Sequence, residues 1–130
     1  MLEKAVEDSG LEKTLTELIK IRSSQINGCA FCVQYHLNIA RKVGLAPAKM
    51  DLVAVWRDAG IFCERERAAL AWTEALTQMS HQHVTDTLYE ELRTSFTEHE
   101  TAFLTAAISS INAWNRIAGA LQFAPDVSVL

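Results

Sequence analysis

The sequence predicts an all-α protein, and three observations carry that prediction. Apolar residues recur at three- and four-residue spacings through nearly every segment. No stretch alternates apolar and polar residues for the length of a strand. Helix start and stop signals punctuate the chain at Gly44 with Pro47, Asp58-Ala-Gly60, Thr85, and Thr97 with Glu100. About six helices fit between these marks. The 130 residues read as one domain, 1–130, long enough to bury about two-thirds of its unfolded surface.

Leu11, Leu15, Leu18, Ile19 and Arg22 share one face of the first predicted helix, with Glu17 on its flank beside Ile21. Gln25-Ile-Asn-Gly28 reads as a short turn that folds the first two helices back to back as an αα-hairpin. The second helix starts at Gly28 as an N-cap and carries Cys29, Cys32, Val33, His36, Ala40 and Val43 on one face. Gly44 is its C-cap candidate, and Pro47 opens a third helix that runs to about Arg57 before Asp58-Ala-Gly60 breaks it. A fourth begins near Cys63, where Glu66 completes a weak capping-box pattern. It is expected to bury Ala68, Trp72, Ala75, Leu76 and Met79. Cys63 has no cysteine or histidine neighbour in sequence and reads as a structural or incidental thiol. His81-Gln-His83 falls in the next loop, where a solvated pair is a plainer reading than a metal site. Thr85 caps a fifth helix with Leu88, Leu92 and Phe96 on its apolar face. Thr97 and Glu100 form the capping box of the sixth, whose face is Phe103, Ala107, Ser110, Trp114, Ala118 and Leu121, with Pro125 beyond its end.

Composition removes several function classes. A net charge of −4 with no basic run leaves nucleic acid no electrostatic footprint. No stretch of ~18 apolar residues is present to span a membrane. The start, Met1-Leu-Glu-Lys-Ala-Val-Glu-Asp8, is acidic and mixed, unlike a secretory leader, so a cytoplasmic location is expected. In that compartment three cysteines argue against a disulfide framework and for catalysis, redox or metal chemistry. Trp56, Trp72, Trp114, Phe96 and Phe103 are spread over four predicted helices, and Leu37 and Ile39 give the second helix another apolar side. A homo-oligomer is expected to cover the surplus.

The residues that carry chemistry are Cys29-Ala-Phe-Cys32-Val-Gln-Tyr-His36. Separations of three and four put both thiols and the imidazole on one helical face. Thiol–disulfide chemistry needs that set: one sulfur to attack, one to resolve, and a base or cation to hold the thiolate. A free thiol has a pKa of roughly 8.5, which a helix N-terminus or nearby imidazolium lowers. Two other readings stay open at this level. A zinc site could use the CxxC with His36 as third ligand, but a structural site wants four, and Cys63, His81 and His83 lie far along the chain. The cysteines could also be inert core residues. Haem attachment is a poor fit, since Val33 stands where a histidine would be needed. A thioredoxin-type βαβ unit is missing from the pattern.

Arg22-Ser-Ser-Gln25-Ile-Asn-Gly-Cys29-Ala-Phe-Cys32-Val-Gln-Tyr-His36 resembles the core motif of the alkylhydroperoxidase D-like (AhpD-like) branch of the carboxymuconolactone decarboxylase superfamily. That motif is a glutamate, eleven intervening residues, CxxC, and a histidine four residues later; Glu17 falls at the matching place. Glu64 to Leu76 and Asn112-Ala-Trp-Asn-Arg116 resemble later helices of the same family. The resemblance implies an all-α, homo-oligomeric peroxidase-type fold, a hexamer or a trimer; no cofactor and no metal are expected. It implies that Cys32 attacks a peroxide and becomes the sulfenic acid, while Cys29 donates a proton and resolves it to a disulfide. Glu17 and His36 become the proton relay. The spacing agrees, since His36 is one turn from Cys32 and two from Cys29. Cys29, nearer the helix start, is expected to be the sulfur a reductant reaches more easily. The implied partners are a peroxide or small oxidised substrate and a thiol or dithiol reductant. The decarboxylase branch lacks the CxxC pair, so lactone decarboxylation does not fit.

Phe31 departs from the family pattern, in which a histidine or tyrosine often precedes the second cysteine; a phenyl ring cannot transfer a proton. It keeps a second reading in play, a redox-responsive or ligand-binding oligomer of the same fold without efficient turnover. Taken without the family, Glu17 reads equally well as a surface charge between Lys13 and Lys20.

Overall fold

In the computed structural model of the chain, which describes residues 1–128, the helix Lys13–Asn27 is the element around which the others are arranged. The order is α1 (Leu2–Asp8), α2 (Lys13–Asn27), α3 (Ala30–Lys42), α4 (Pro47–Leu52), a 3-10 turn (Val53–Val55), α5 (Trp56–Ala59), α6 (Glu64–Thr77), α7 (Asp86–Arg93) and α8 (Glu98–Ala120). No strand occurs among the described residues. No helix there is long and apolar enough to cross a membrane.

The central place of α2 follows from its composition. Leu18, Ile19 and Ile21 are fully buried, each contributing about 1.5–3 kcal/mol. Leu15 and Ile19 pack with Trp72, Leu104 and Ile108. Leu18 and Ile21 face the other way, onto Ala40, Val53, Trp56 and Leu70. A third, small cluster holds Cys29, Cys32 and Ala118, with Phe31 against it.

Several expected boundaries move. Helix α1 was not anticipated; it has one buried residue, Val6, too few to show a period. The dithiol therefore begins the third helix of the fold rather than the second. The turn at 25–28 shrinks to Gly28 and Cys29, because α2 continues to Asn27. Gly28 ends α2 rather than starting α3: at φ 70° it takes the left-handed conformation that glycine adopts without penalty. Its N–H bonds to Gln25 O (3.2 Å) and the Cys29 N–H to Ser24 O (3.0 Å), the Schellman pattern.

The expected third helix is broken by the 3-10 turn. The tighter wind puts residues three apart on one side, and Val53 and Trp56 both enter the core. Helix α6 stops at Thr77, which leaves Met79 exposed rather than buried. The inward stripe of α8 is Leu104, Ala107, Ile108, Ile111, Asn115 and Ala118, rotated from the expected one. Trp114 is 49% and Leu121 70% exposed. Hydrophobicity alone favoured the indole, whereas the structure buries Asn115, whose amide finds partners on α2.

Arg65 of α6 ties three segments together. Its guanidinium reaches Glu12 (2.8 Å), Glu100 (2.6 Å) and the Ser95 carbonyl (2.6 Å), and lies over the Phe96 ring at 4.2 Å. The Arg65 hydrogen bond, first, and that from the Thr97 backbone hold the Glu100 carboxyl at about 2. Charge-assisted bonds of this kind contribute about 1.5–3 kcal/mol each, less where water screens them. Arg65→Ala is expected to cost about 1–2 kcal/mol in urea unfolding, given the partial exposure of the site. No shift in the midpoint would show that the bridge is only decorative.

Candidate active site

The abrupt end of α2 delivers the dithiol. Cys29 follows Gly28 in extended conformation and serves as N-cap of α3, its sulfur accepting from the Cys32 N–H at 3.3 Å. Cys29 and Cys32 are joined as a disulfide with Cα atoms 5.3 Å apart. Both are buried against α8. Gly119 faces Cys29, and a Cβ there would stand 3.7 Å from the cysteine Cβ. Cys32 Sγ lies 3.9 Å from the Trp114 carbonyl oxygen.

A buried polar network fixes α8 at that distance. Ser23 donates to Asn115 Oδ1 (3.2 Å), Asn27 to Asn115 (2.8 Å) and Asn112 (2.9 Å), and Asn115 Nδ2 to Ser24 (3.0 Å). Thr77 of α6 joins through Ser23 (3.3 Å) and Asn112 (3.2 Å). Buried amides left unpaired cost about 1–3 kcal/mol each, so this register is specified more sharply than apolar packing alone would do. The Gly119 position itself is forgiving. Its 3.7 Å gap is ordinary contact, and glycine inside a helix costs about 0.5–1 kcal/mol against alanine. Gly119→Ala is therefore expected to raise the melting temperature slightly; a fall would mean that α8 sits closer to the dithiol in solution.

Glu17 projects from α2 into the same region and is fully buried. Its Oε1 is 2.8 Å from His36 Nδ1, while Oε2 is 3.3 Å from Lys20 and 3.7 Å from Lys13. Burial pushes its pKa up, but the His36 hydrogen bond and the pull of His36, Lys20 and Lys13 outweigh it, so the carboxyl titrates below its ordinary value. With Glu17 ionised, Nδ1 must be the donor, which leaves Nε2 as the nitrogen available for proton traffic. No hydrogen bond joins His36 to either sulfur among the described residues. The lysine pairs expected for a surface charge are present, yet the carboxylate they hold is an interior one.

Beside these groups lies a cavity of about 630 Å³ lined by Glu17, Cys32, His36 and the aromatic rings of Phe31, Tyr35, Trp114 and Phe123. Cys32 is on its wall and Cys29 is not. This reverses the expectation that Cys29 is the more reachable sulfur: its N-cap position turns the thiol inward against Gly119. Cys63 stands exposed at the start of α6, its N–H bonded to Glu66 at 2.9 Å. His81 and His83 are exposed in the loop before α7. No group of three or more His, Cys, Asp or Glu among the described residues is placed to hold a metal ion. Sequence reasoning missed the network around Asn115 and the contribution of Phe123; the Asn27, Asn112 and Asn115 cluster was the signal for the first.

A helical array with a CxxC opening one helix and a buried Glu–His pair behind it defines a class of all-α dithiol proteins. A model of the carboxymuconolactone decarboxylase family matches residues 1–75, and the chain belongs to that family, in its AhpD-like branch. YdfG of Bacillus subtilis (strain 168), itself uncharacterised, is 38% identical over 120 residues, covering 92% of this chain and 82% of YdfG. The crystal structure of ATU0492 from Agrobacterium tumefaciens, a protein of unknown function suggested to be the antioxidant-defence protein AhpD, superposes at TM-score 0.93. Identity there is 42%, over 98% of this chain and 87% of that one. An uncharacterised peroxidase-related protein from Ralstonia eutropha JMP134, with an alkylhydroperoxidase AhpD core, superposes at TM-score 0.80. It is 30% identical, and the match covers 91% of this chain and 62% of that one.

Proposed function

We propose that the chain is a dithiol oxidoreductase that reduces peroxides, with Cys32 as nucleophile, Cys29 as resolving thiol, and Glu17 and His36 as the proton relay. The observation that carries this reading is that Cys32, His36 and Glu17 open onto one cavity, with Cys29 bonded to Cys32 from behind. In the reduced protein His36 Nε2 takes the Cys32 proton, with Glu17 stabilising the imidazolium. The thiolate attacks the terminal peroxide oxygen, the O–O bond breaks, and two electrons pass from sulfur to oxygen. The departing alkoxide takes the proton back from His36 and leaves as an alcohol. Cys29 then attacks the Cys32 sulfenic acid, and water leaves as the disulfide forms. An external dithiol restores the pair by two exchange steps and is itself oxidised.

The test is to mix the reduced protein with one equivalent of peroxide. Both thiols should be lost together, much faster than free cysteine is oxidised, and a dithiol donor should sustain turnover. Oxidation no faster than that of free cysteine would sink the peroxidase reading. Phe31 favours one second reading, a redox-responsive oligomer that is oxidised once and turns over poorly; fast single oxidation without turnover supports that instead. The exposed side chains of Trp114, Ile117 and Leu121 along α8 support a homo-oligomer, a hexamer or a trimer. Light scattering giving a single-chain mass of 14.5 kDa would exclude it.

A further inference from the structure

We infer that the aromatic wall beside Cys32 is a subsite for a flat aromatic group, so that the site prefers aryl-bearing hydroperoxides to purely alkyl ones, with Phe31 and Phe123 as specificity-determining residues. This deepens the peroxidase reading and, for its reactive part, rests on it.

The first argument is size. A water occupies about 30 Å³ of liquid, so hydrogen peroxide would fill only a small part of a cavity of about 630 Å³. That volume lies within the range of sites built for small organic molecules. The second argument is the distribution of polar groups. Glu17, His36, Lys13 and Lys20 lie together and satisfy one another. Phe31, Trp114 and Phe123 instead bring aromatic ring surface to the wall. A ligand that fits both has an oxidised polar head for Cys32 and His36 and an apolar body.

The third argument is that the rings are held in place. Phe31 stacks on Tyr35 with centroids 5.7 Å apart and meets the Phe123 ring edge-on at 5.5 Å. Both are geometries that aromatic rings prefer. Phe123 arrives from beyond α8 through Gln122, a non-glycine residue at φ 56°. Left-handed backbone is uncommon for such a residue, and here it turns the segment back so that the Phe123 N–H bonds Ala118 O at 2.9 Å. Asn38 of α3 then donates to the Asp126 carbonyl at 3.4 Å, keeping the segment along α3. Trp114, which also lines the cavity, donates its indole N–H to Glu3 at 3.3 Å. Phe31 thus has a use other than proton transfer: its ring is part of the aromatic wall of the cavity.

The test compares cumene hydroperoxide with tert-butyl hydroperoxide, which has a methyl in place of the phenyl group, as oxidants of the reduced protein. Binding of 2-phenyl-2-propanol, a redox-inert probe, to the disulfide form is followed by the NMR shift of the Trp114 indole N–H. The wild type should favour cumene hydroperoxide by about tenfold or more, the scale on which apolar pockets discriminate. Phe31→Ala and Phe123→Ala should each lower that ratio severalfold and weaken the alcohol-induced shift. Phe123→Leu, nearly volume-conserving and tolerated by packing, should do so in part. Comparable rates for both peroxides with no Trp114 shift would overturn the inference and leave the peroxidase reading standing. A ring-dependent shift without oxidation by either peroxide would overturn the peroxidase reading and the stated preference, leaving only an aromatic-binding site. A fall of Phe123→Leu to single-chain mass, together with a lost shift, would overturn it in favour of a contact between copies.

Discussion

Cys32→Ser is expected to abolish oxidation of the dithiol by peroxide, a loss of about three orders of magnitude or more, the scale on which enzymes fail when their nucleophile is removed. Cys29→Ser is expected to keep the first step and lose the second. The asymmetry follows from the two environments. Cys32 is on the cavity wall, one helical turn from His36 on α3. Cys29 is packed against Gly119 and Ala118, where a peroxide does not reach it. The thiolate is the reacting form, and serine offers no comparable anion near neutral pH. In Cys29→Ser the Cys32 sulfenic acid has no resolving thiol and should persist long enough for dimedone to trap it. Mass spectrometry reads the adduct directly. An adduct on Cys29 in Cys32→Ser, and none on Cys32 in Cys29→Ser, would exchange the two roles.

Most of the helices were legible because their signals are local. Thr85 and Thr97 accept from the N–H groups of Leu88 (3.2 Å) and Glu100 (3.1 Å), as their residue types require. The pairing of α2 with α3 was legible too, since even the four-residue turn read at 25–28 leaves little other choice. What could not be read depends on partners distant in sequence. Burial of Asn115 makes sense only once Ser23, Ser24 and Asn27 lie across from it, and without them Trp114 looks like the better core residue. Gly28 illustrates a different difficulty: the same residue is acceptable at an N-cap and favoured after a C-terminus, and only the reach of α2 decides. For Glu17 the residues alone left two readings even. Lys13 and Lys20 are its ion-pair partners in the structure, so the local rule held, while the burial that matters for chemistry came from packing. Phe123 was invisible because its place depends on one left-handed residue after α8.

Removing the Glu17 carboxylate is expected to damage stability and chemistry together. Glu17→Ala leaves the His36 Nδ1–H, Lys20 and Lys13 without their shared acceptor and opens a void beside α3. Breaking a buried pair costs about 3–5 kcal/mol when the survivor stays buried. Here Lys13 is 39% exposed at its side chain and can turn to water, but Lys20 is 14% exposed and less free, so about 2–3 kcal/mol is expected. Glu17→Gln keeps the shape and an acceptor for Nδ1 and should cost less. The pH dependence identifies the cause. Burial raises the Glu17 pKa, the contacts with His36, Lys20 and Lys13 more than reverse this, and the folded value lies below the ordinary 4.5. A depressed carboxyl contributes stability that is fully present above its unfolded pKa and is lost as pH falls through the folded one. The stability gap between wild type and Glu17→Gln should therefore be widest near neutral pH and narrow below about 4.5. Chemistry should fail alongside: without the anion that stabilises protonated His36, alkylation of the reduced Cys32 by iodoacetamide near pH 7 should slow in Glu17→Gln and in His36→Ala. A gap that does not narrow in acid would assign the loss to packing alone. An unchanged alkylation rate in both variants would remove the pair from the proton relay.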